Sequence, residues 1–338
     1  MHLSGLRLGA RGTNWRWPSV RESMRRDLEK VHARVGRFEF LFVTGDLTLH
    51  GTAEEFAEVD WVLESLYEVF VSLGSEPRLI AVPGERDVLA ATDLYEAEWV
   101  ALRTWHADSG LRGHVLGASG GRYVRRLEAA FEPYTAWATG GRWPGAGGTV
   151  GLLPGDRAAA WSVGGTKVGV VGLNSVFLRA AGEVALDVDP RQLHAVCGGD
   201  APAWLGQHPV NLLLTSHAAT QLEGRSRDEF HAEITAPGRF AAHLVGRGDG
   251  AATLTRTGGA LRLVVPGVPL FDAQGMTRDG RSFGYDAMRI EVGARAVRVH
   301  HFPRRMFGAV DLRFGAAVEV DEGDGAEVYE VPRVRRGW

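Results

Sequence analysis

Apolar positions along the first ninety residues follow two periods in alternation. Short apolar runs at 2–8, 38–44 and 78–82 read as strands, the first running into a loop and the last stopped by Pro83 and Gly84. Between them lie two helical stretches. One opens at Pro18-Ser19, with proline in its first turn, and extends to about Gly36. The other runs from Thr52 to Leu73, where Phe56, Val59, Leu63, Leu66 and Phe70 recur at helical spacing. Thr52 is its expected cap and Glu55 stands at the capping-box position. Strand, helix, strand, helix, strand is the signature of an α/β fold with a mostly parallel sheet.

The pattern changes after residue 90. Residues 90–150 mix helical periodicity with Gly-rich loops at 119–121 and 145–148, which predicts a helical cap or insertion. The second half is richer in strands, expected at 159–163, 167–172, 211–215, 240–245, 253–257, 261–265, 285–292 and 296–302, with Gly258-Gly259 as a hairpin turn. No repeat and no long linker interrupts the chain. One composite domain over 1–338 is expected, with the insertion at about 90–150 and a β-rich C-terminal part at about 251–338.

Composition narrows the class. At 338 residues, 23% charged and 45% hydrophobic, the chain has enough apolar material for a proper core and is neither disordered nor fibrous. A formal charge of −3 gives no global attraction to nucleic acid or to a membrane surface. The single cysteine, Cys197, excludes an intramolecular disulfide and a thiolate zinc site. No apolar run is long enough for a membrane span, and the N-terminus lacks a secretory pattern, so a cytoplasmic protein is expected. Lysine occurs only at Lys30 and Lys167, and the arginine excess is the bias that GC-rich coding produces rather than a nucleic-acid signal.

In open α/β sheets the working residues stand just past the C-terminal strand ends. Those places hold Ser4-Gly5-Leu6-Arg7, Gly45-Asp46-Leu47-Thr48, Gly84-Glu85-Arg86-Asp87, Ser216-His217 and Gly246-Arg247-Gly248-Asp249. The series resembles the calcineurin-like metallophosphoesterases, which carry Asp-x-His, Gly-Asp, Gly-Asn-His-Asp/Glu, a histidine after a strand, and Gly-His-x-His in this order. Residues 45–56, 151–156 and 168–175 are also similar to that family. The resemblance spans about residues 1–250 and implies a two-sheet β sandwich flanked by helices. It also implies a centre of two Mn, Fe, Zn or similar ions that generates a hydroxide nucleophile and needs carboxylate and neutral imidazole ligands.

The chain departs from nearly every ligand position that the resemblance assigns. Gly5 stands for the first aspartate and Arg7 for its histidine. Asp46 remains as the bridging aspartate. Glu85 replaces the asparagine, Arg86 the catalytic histidine, Ser216 the next metal histidine (with His217 beside it), and Arg247 and Asp249 the final pair. Gly45, Gly84 and Gly246 hold the register of these assignments. A guanidinium has five donors and no lone pair, so it cannot ligate a metal, and its charge repels one. Arg7, Arg86 and Arg247 balance Asp46, Glu85 and Asp249 in formal charge. An arginine–carboxylate network in place of the metals is therefore expected, in which removing one buried partner costs about 3–5 kcal/mol.

The function this implies is non-enzymatic: a scaffold, adaptor or regulatory subunit whose partner is another protein, with no cofactor. Two alternatives remain open. One is a phosphoesterase with a rearranged or single-metal site drawn from Asp46, Glu85, Asp87, His217, Asp249 and His243. The other is a sensor that holds a phosphate or nucleotide on Arg7, Arg86 and Arg247 without cutting it. Other features have plainer readings. His243 falls inside a strand and is expected to be structural. The His300-His301 pair alternates across a strand, so one of the two faces inward. Ser216-His217 with Asp249 lacks the geometry and the Gly-x-Ser-x-Gly elbow of a hydrolytic triad. Cys197 is expected to be packed and inert, and Arg247-Gly248-Asp249 is a chance adhesion tripeptide. Arg21, Arg25 and Arg26 with Trp15 and Trp17 read as a solvated helix face beside packed aromatics.

Overall fold

The computed structural model describes residues 1–9, 15, 17–117, 121–247, 251–257, 260–270, 283–308, 312–317 and 325–333. Strand β1 (His2–Leu3), helix α1 (Trp17–Val35), β2 (Phe40–Thr44), α2 (Ala53–Ser72) and β3 (Arg78–Val82) form the expected alternation. Both pairings among these three strands are parallel. β1 is shorter than its apolar run because the backbone turns left-handed at Gly5 (φ +57°) and Arg7 (φ +48°), which no extended strand tolerates. Only isolated bridges continue the pairing, from Ser4 to Pro269 and from Leu8 to Thr48.

The cap of α2 is half of the expected box. Thr52 Oγ1 accepts from the Glu55 N–H at 3.3 Å. The Glu55 carboxylate instead accepts from the His50 backbone N–H at 2.7 Å and meets His50 Nδ1 at 2.8 Å, which fastens the preceding loop to the helix.

Helices α3 (Ala97–Leu102), α4 (Ser109–Val115), α5 (Gly121–Ala130) and α6 (Glu132–Thr139) follow. The chain then enters β4 (Thr149–Val150), β5 (Arg157–Val163) and β6 (Thr166–Gly172), helices α7 (Pro190–Val196) and α8 (Ala201–Gly206), β7 (Val210–His217) and α9 (Gly224–Glu229). The remaining strands are β8 (Ala242–Arg247), β9 (Thr253–Thr257), β10 (Ala260–Pro266), β11 (Gly284–Val292), β12 (Ala296–Phe307), β13 (Arg313–Ala316) and β14 (Glu327–Pro332). The antiparallel pairing of β9 and β10 is present, while its Gly258-Gly259 turn lies outside the described residues.

Two sheets result. The first runs β13-β12-β11-β1-β2-β3, with β14 beside β12. The second runs β4-β5-β6-β7-β8-β10-β9, parallel from β6 through β10. Strand alternation sorts side chains into three cores. On β2, Leu41 and Val43 join α1 and α2 on the outer face, while Phe42 points between the sheets. The inter-sheet layer holds Phe42, Ile80, Val82, Leu212, Leu214, Leu244, Val265 and Val299. Trp99, Trp105, Phe131 and Phe177 cover the outer face of the second sheet. The molecule is thus a mixed α/β two-sheet sandwich flanked by helices, the architecture that the motif order implies. No described helix is long and apolar enough to cross a membrane.

Candidate functional site

The C-terminal ends of β2, β3, β7 and β8 meet at one seam, and two glycines make the approach possible. A Cβ at Gly246 would stand 1.6 Å from the Thr44 carbonyl oxygen and 3.0 Å from that of Ser216. One at Gly84 would stand 2.1 Å from the Asp46 nitrogen and 2.6 Å from its Oδ1. Backbone bonds tie the loops together across this seam. The Gly5 N–H donates to the Gly45 carbonyl at 3.0 Å and the Arg7 N–H to the Asp46 carbonyl at 2.9 Å. Arg7 and Asp46 are the only two non-glycine residues with positive φ among those described, at +48° and +54°. The strain is concentrated where the motif positions predicted a centre.

Asp46 is buried and Arg7 nearly so. Arg7 Nη2 donates to Asp46 Oδ2 at 3.5 Å, and the Arg86 backbone N–H reaches Asp46 Oδ1 at 3.4 Å. The Glu85 carboxylate makes no ion pair with the adjacent Arg86. Arg86 is exposed, and its guanidinium forms no ion pair among the described residues. Arg179 takes the carboxylate instead, its Nε donating to Glu85 Oε1 at 2.8 Å. Arg179 sits in a short helical turn, Phe177–Ala181, that follows β6, and nothing in its local sequence marks it for the centre. His217 Nε2 approaches the same Glu85 oxygen at 3.5 Å. The His217 bond first, and Arg179 with it, hold the Glu85 carboxyl down at about 2 against a smaller effect of burial.

Ser216 and His217 are the last residues of β7 rather than the start of a loop, and both are buried. The serine within reach of His217 Nδ1 is Ser175, at 3.4 Å, not Ser216. No hydrolytic triad follows, since Ser175 is itself sealed from solvent. Gly5 lies on the strained loop and brings no side chain. Arg247 closes β8, while its side chain and Asp249 lie outside the described residues, as does the rest of the Arg247-Gly248-Asp249 tripeptide.

Asp87 has a different job from its neighbours. Its Oδ1 accepts from the Leu47 N–H at 2.8 Å, the Thr48 N–H at 2.9 Å and Thr48 Oγ1 at 3.0 Å, and its Oδ2 from the Gly84 N–H at 2.8 Å. It therefore clamps the loop after β2 to the loop after β3. Burial, then the Asp46 charge, push its carboxyl up to about 7, against those hydrogen bonds. Asp156 does the same for the 151–156 loop, bonding the Leu153 and Asn174 N–H groups and Gln192 Nε2, and burial raises it to about 7. The motif-like character of these segments is carried by loop-fastening carboxylates.

The other candidates are structural. His243 bonds Thr215 Oγ1 at 2.7 Å and packs on Phe230, and burial lowers its pKa to about 3. His301 is the inward member of its pair, while His300 meets Glu291 at 3.3 Å. Cys197 is a buried free thiol pushed up to about 12 by burial. Arg25 and Arg26 pair with Glu22 on α1, and Trp17 is buried with its Nε1 on Ser65.

Asp46 and Glu85 already hold guanidinium partners, and among the described residues no three His, Cys, Asp or Glu side chains come together to hold a metal ion. No protein-family model and no curated protein matches the chain. Solved structures do. A Vps29 single mutant from Entamoeba histolytica is 8% identical, with a TM-score of 0.31 over 90% of this chain and 88% of that one. A hypothetical protein from Thermus thermophilus is 12% identical, with a TM-score of 0.34 over 98% of each. A dimetal phosphatase from Danio rerio is 10% identical, with a TM-score of 0.38 over 87% of this chain and 88% of that one.

Proposed function

We propose that this chain is a phosphoesterase-like protein that has given up metal-dependent hydrolysis and works by binding, as a cytoplasmic scaffold, adaptor or regulatory subunit of a protein complex. One observation carries the reading: the carboxylates at two of the ligand positions are each engaged by a guanidinium, Asp46 by Arg7 and Glu85 by Arg179. A divalent ion would have to displace these cations and would still lack imidazole donors at the positions of Arg7 and Arg86. The test is metal analysis of the purified protein for Mn, Fe, Zn and Ni, with phosphomonoester and phosphodiester assays in added Mn. The expected outcome is substoichiometric metal and no turnover, together with co-purification of a defined protein partner from the native host. Stoichiometric metal with turnover abolished by Asp46→Ala overturns the reading.

A second reading rests on Arg86. Arg7 and Arg179 face the carboxylates of Asp46, Glu85 and Glu183, whereas Arg86 is exposed and without an ion pair among the described residues. A phosphate-bearing ligand docked there is expected to raise the melting temperature, an effect that Arg86→Ala removes. No shift across a millimolar nucleotide panel rules this reading out.

A further inference from the structure

We infer that a cavity away from the strand-end seam is a binding site for a small organic monocarboxylate with an apolar body. The cavity lies between α6 and the loop that leads into β5 and has a volume of about 470 Å³. That is within the usual range for small-molecule sites, roughly 300–1,000 Å³. Its walls are mostly apolar, with Ala136, Ala138, Val150, Leu152, Leu153 and Pro154 among them. A water-sized hollow of about 10 Å³ shares Ala138, Ala146 and Arg157 with it and leads on to Trp137 and Trp143.

Arg157 decides the charge of the ligand. It lines both spaces and has no carboxylate partner among the described residues. Its Nη2 donates to the carbonyls of Gly145 at 3.2 Å and Gly147 at 2.6 Å, and Nε and Nη1 have no acceptor among the described residues. Asp156, the preceding residue, makes no ion pair with it; its oxygens accept from the Leu153 and Asn174 N–H groups and Gln192 Nε2 instead. Burial accordingly disfavours the charge on Arg157. A partly buried guanidinium with free donors at an apolar wall is suited to one carboxylate group. The same wall carries two buried hydroxyls, Tyr134 Oη and Thr135 Oγ1, that have no hydrogen-bond partner among the described residues. Glu128 and Glu132 also line the cavity but are exposed, where solvent and salt screen their charge.

Phenylbutyrate and its neutral amide are the probes, followed by calorimetry and thermal unfolding of the full chain. Saturable binding of phenylbutyrate is expected, with the amide weaker by about tenfold, the factor set by loss of a charge-assisted contact. Arg157→Gln is expected to remove that preference, and Ala146→Phe to block binding of both probes. The comparison of the two probes on the unaltered protein needs no variant to fold. The inference is overturned by no saturable binding at about 10 mM, far weaker than any specific site. Equal affinity for acid and amide, or binding that survives both substitutions, overturns it as well.

Discussion

Two of the arginine–aspartate pairs in this molecule, Arg7 with Asp46 and Arg304 with Asp27, are built differently. At the strand ends, Arg7 reaches Asp46 by one contact of 3.5 Å, with both side chains still touched by solvent at 16% and 12%. On the outer face of the first sheet, Arg304 grips Asp27 through two nitrogens, Nε at 2.9 Å and Nη2 beside it. Tyr285 adds its hydroxyl to the same carboxylate at 2.6 Å, and the Asp27 side chain is only 2% exposed. The motif positions drew attention to the first pair, yet the second has the geometry of a structural ion pair. The difference separates two uses of one chemistry. A forked, desolvated pair that packs α1 onto β11 and β12 fixes a core, whereas a single-pronged pair on a strained loop fills a place without being optimised for stability.

The largest expected effect comes from breaking the buried pair. Arg304→Ala leaves Asp27 charged and uncompensated and is expected to cost about 3–5 kcal/mol in urea unfolding. A loss under about 1 kcal/mol, the size seen for exposed pairs, would erase the contrast. Next comes His301, buried between Asp286 at 3.0 Å and Glu327 at 2.9 Å. Burial opposes its charge, but the bonds to the two carboxylates prevail and raise it from 6.5 to about 9. The folded state therefore binds its proton more tightly than the unfolded chain. That contribution is complete below about pH 6.5 and is lost as pH rises through about 9. Unfolding measured from pH 6 to pH 9 is expected to show this decline, and His301→Gln to flatten it.

Arg7→Ala is expected to cost only about 1 kcal/mol, because one long contact near solvent is lost. A cost of about 3–5 kcal/mol would restore the tight network expected from the motif positions. The smallest effect belongs to Arg86→Ala. Its exposed side chain leaves the unfolding midpoint unchanged within about 0.5 kcal/mol. If that substitution destabilises as much as Arg7→Ala, Arg86 belongs to the centre after all.

Much of the fold was legible because periodicity is a local signal. Both early helices and β3 stand where their apolar spacing puts them, and Thr52 does cap α2. The centre was legible in part, since Asp46, Glu85 and Asp87 do gather where β2 and β3 end. The partner of Glu85 was not. Arg179 lies 94 residues away, in a turn whose place depends on how the second sheet packs against the first. Arg304 and Asp27 are 277 residues apart and no motif marks either. Ser175 against His217 was equally invisible, because the two lie 42 residues apart and meet only through packing.

The chain by itself determined the alternation of strands and helices and the guanidinium side chains, rather than imidazoles, of Arg7 and Arg86 just past the strand ends. Both follow from properties that a residue carries wherever it stands: its hydrophobicity and its lone pairs. Which cation faces which carboxylate was decided only by the tertiary structure. A contact of about 3 Å between residues tens or hundreds of positions apart is set by sheet order and by the close approach that Gly84 and Gly246 permit.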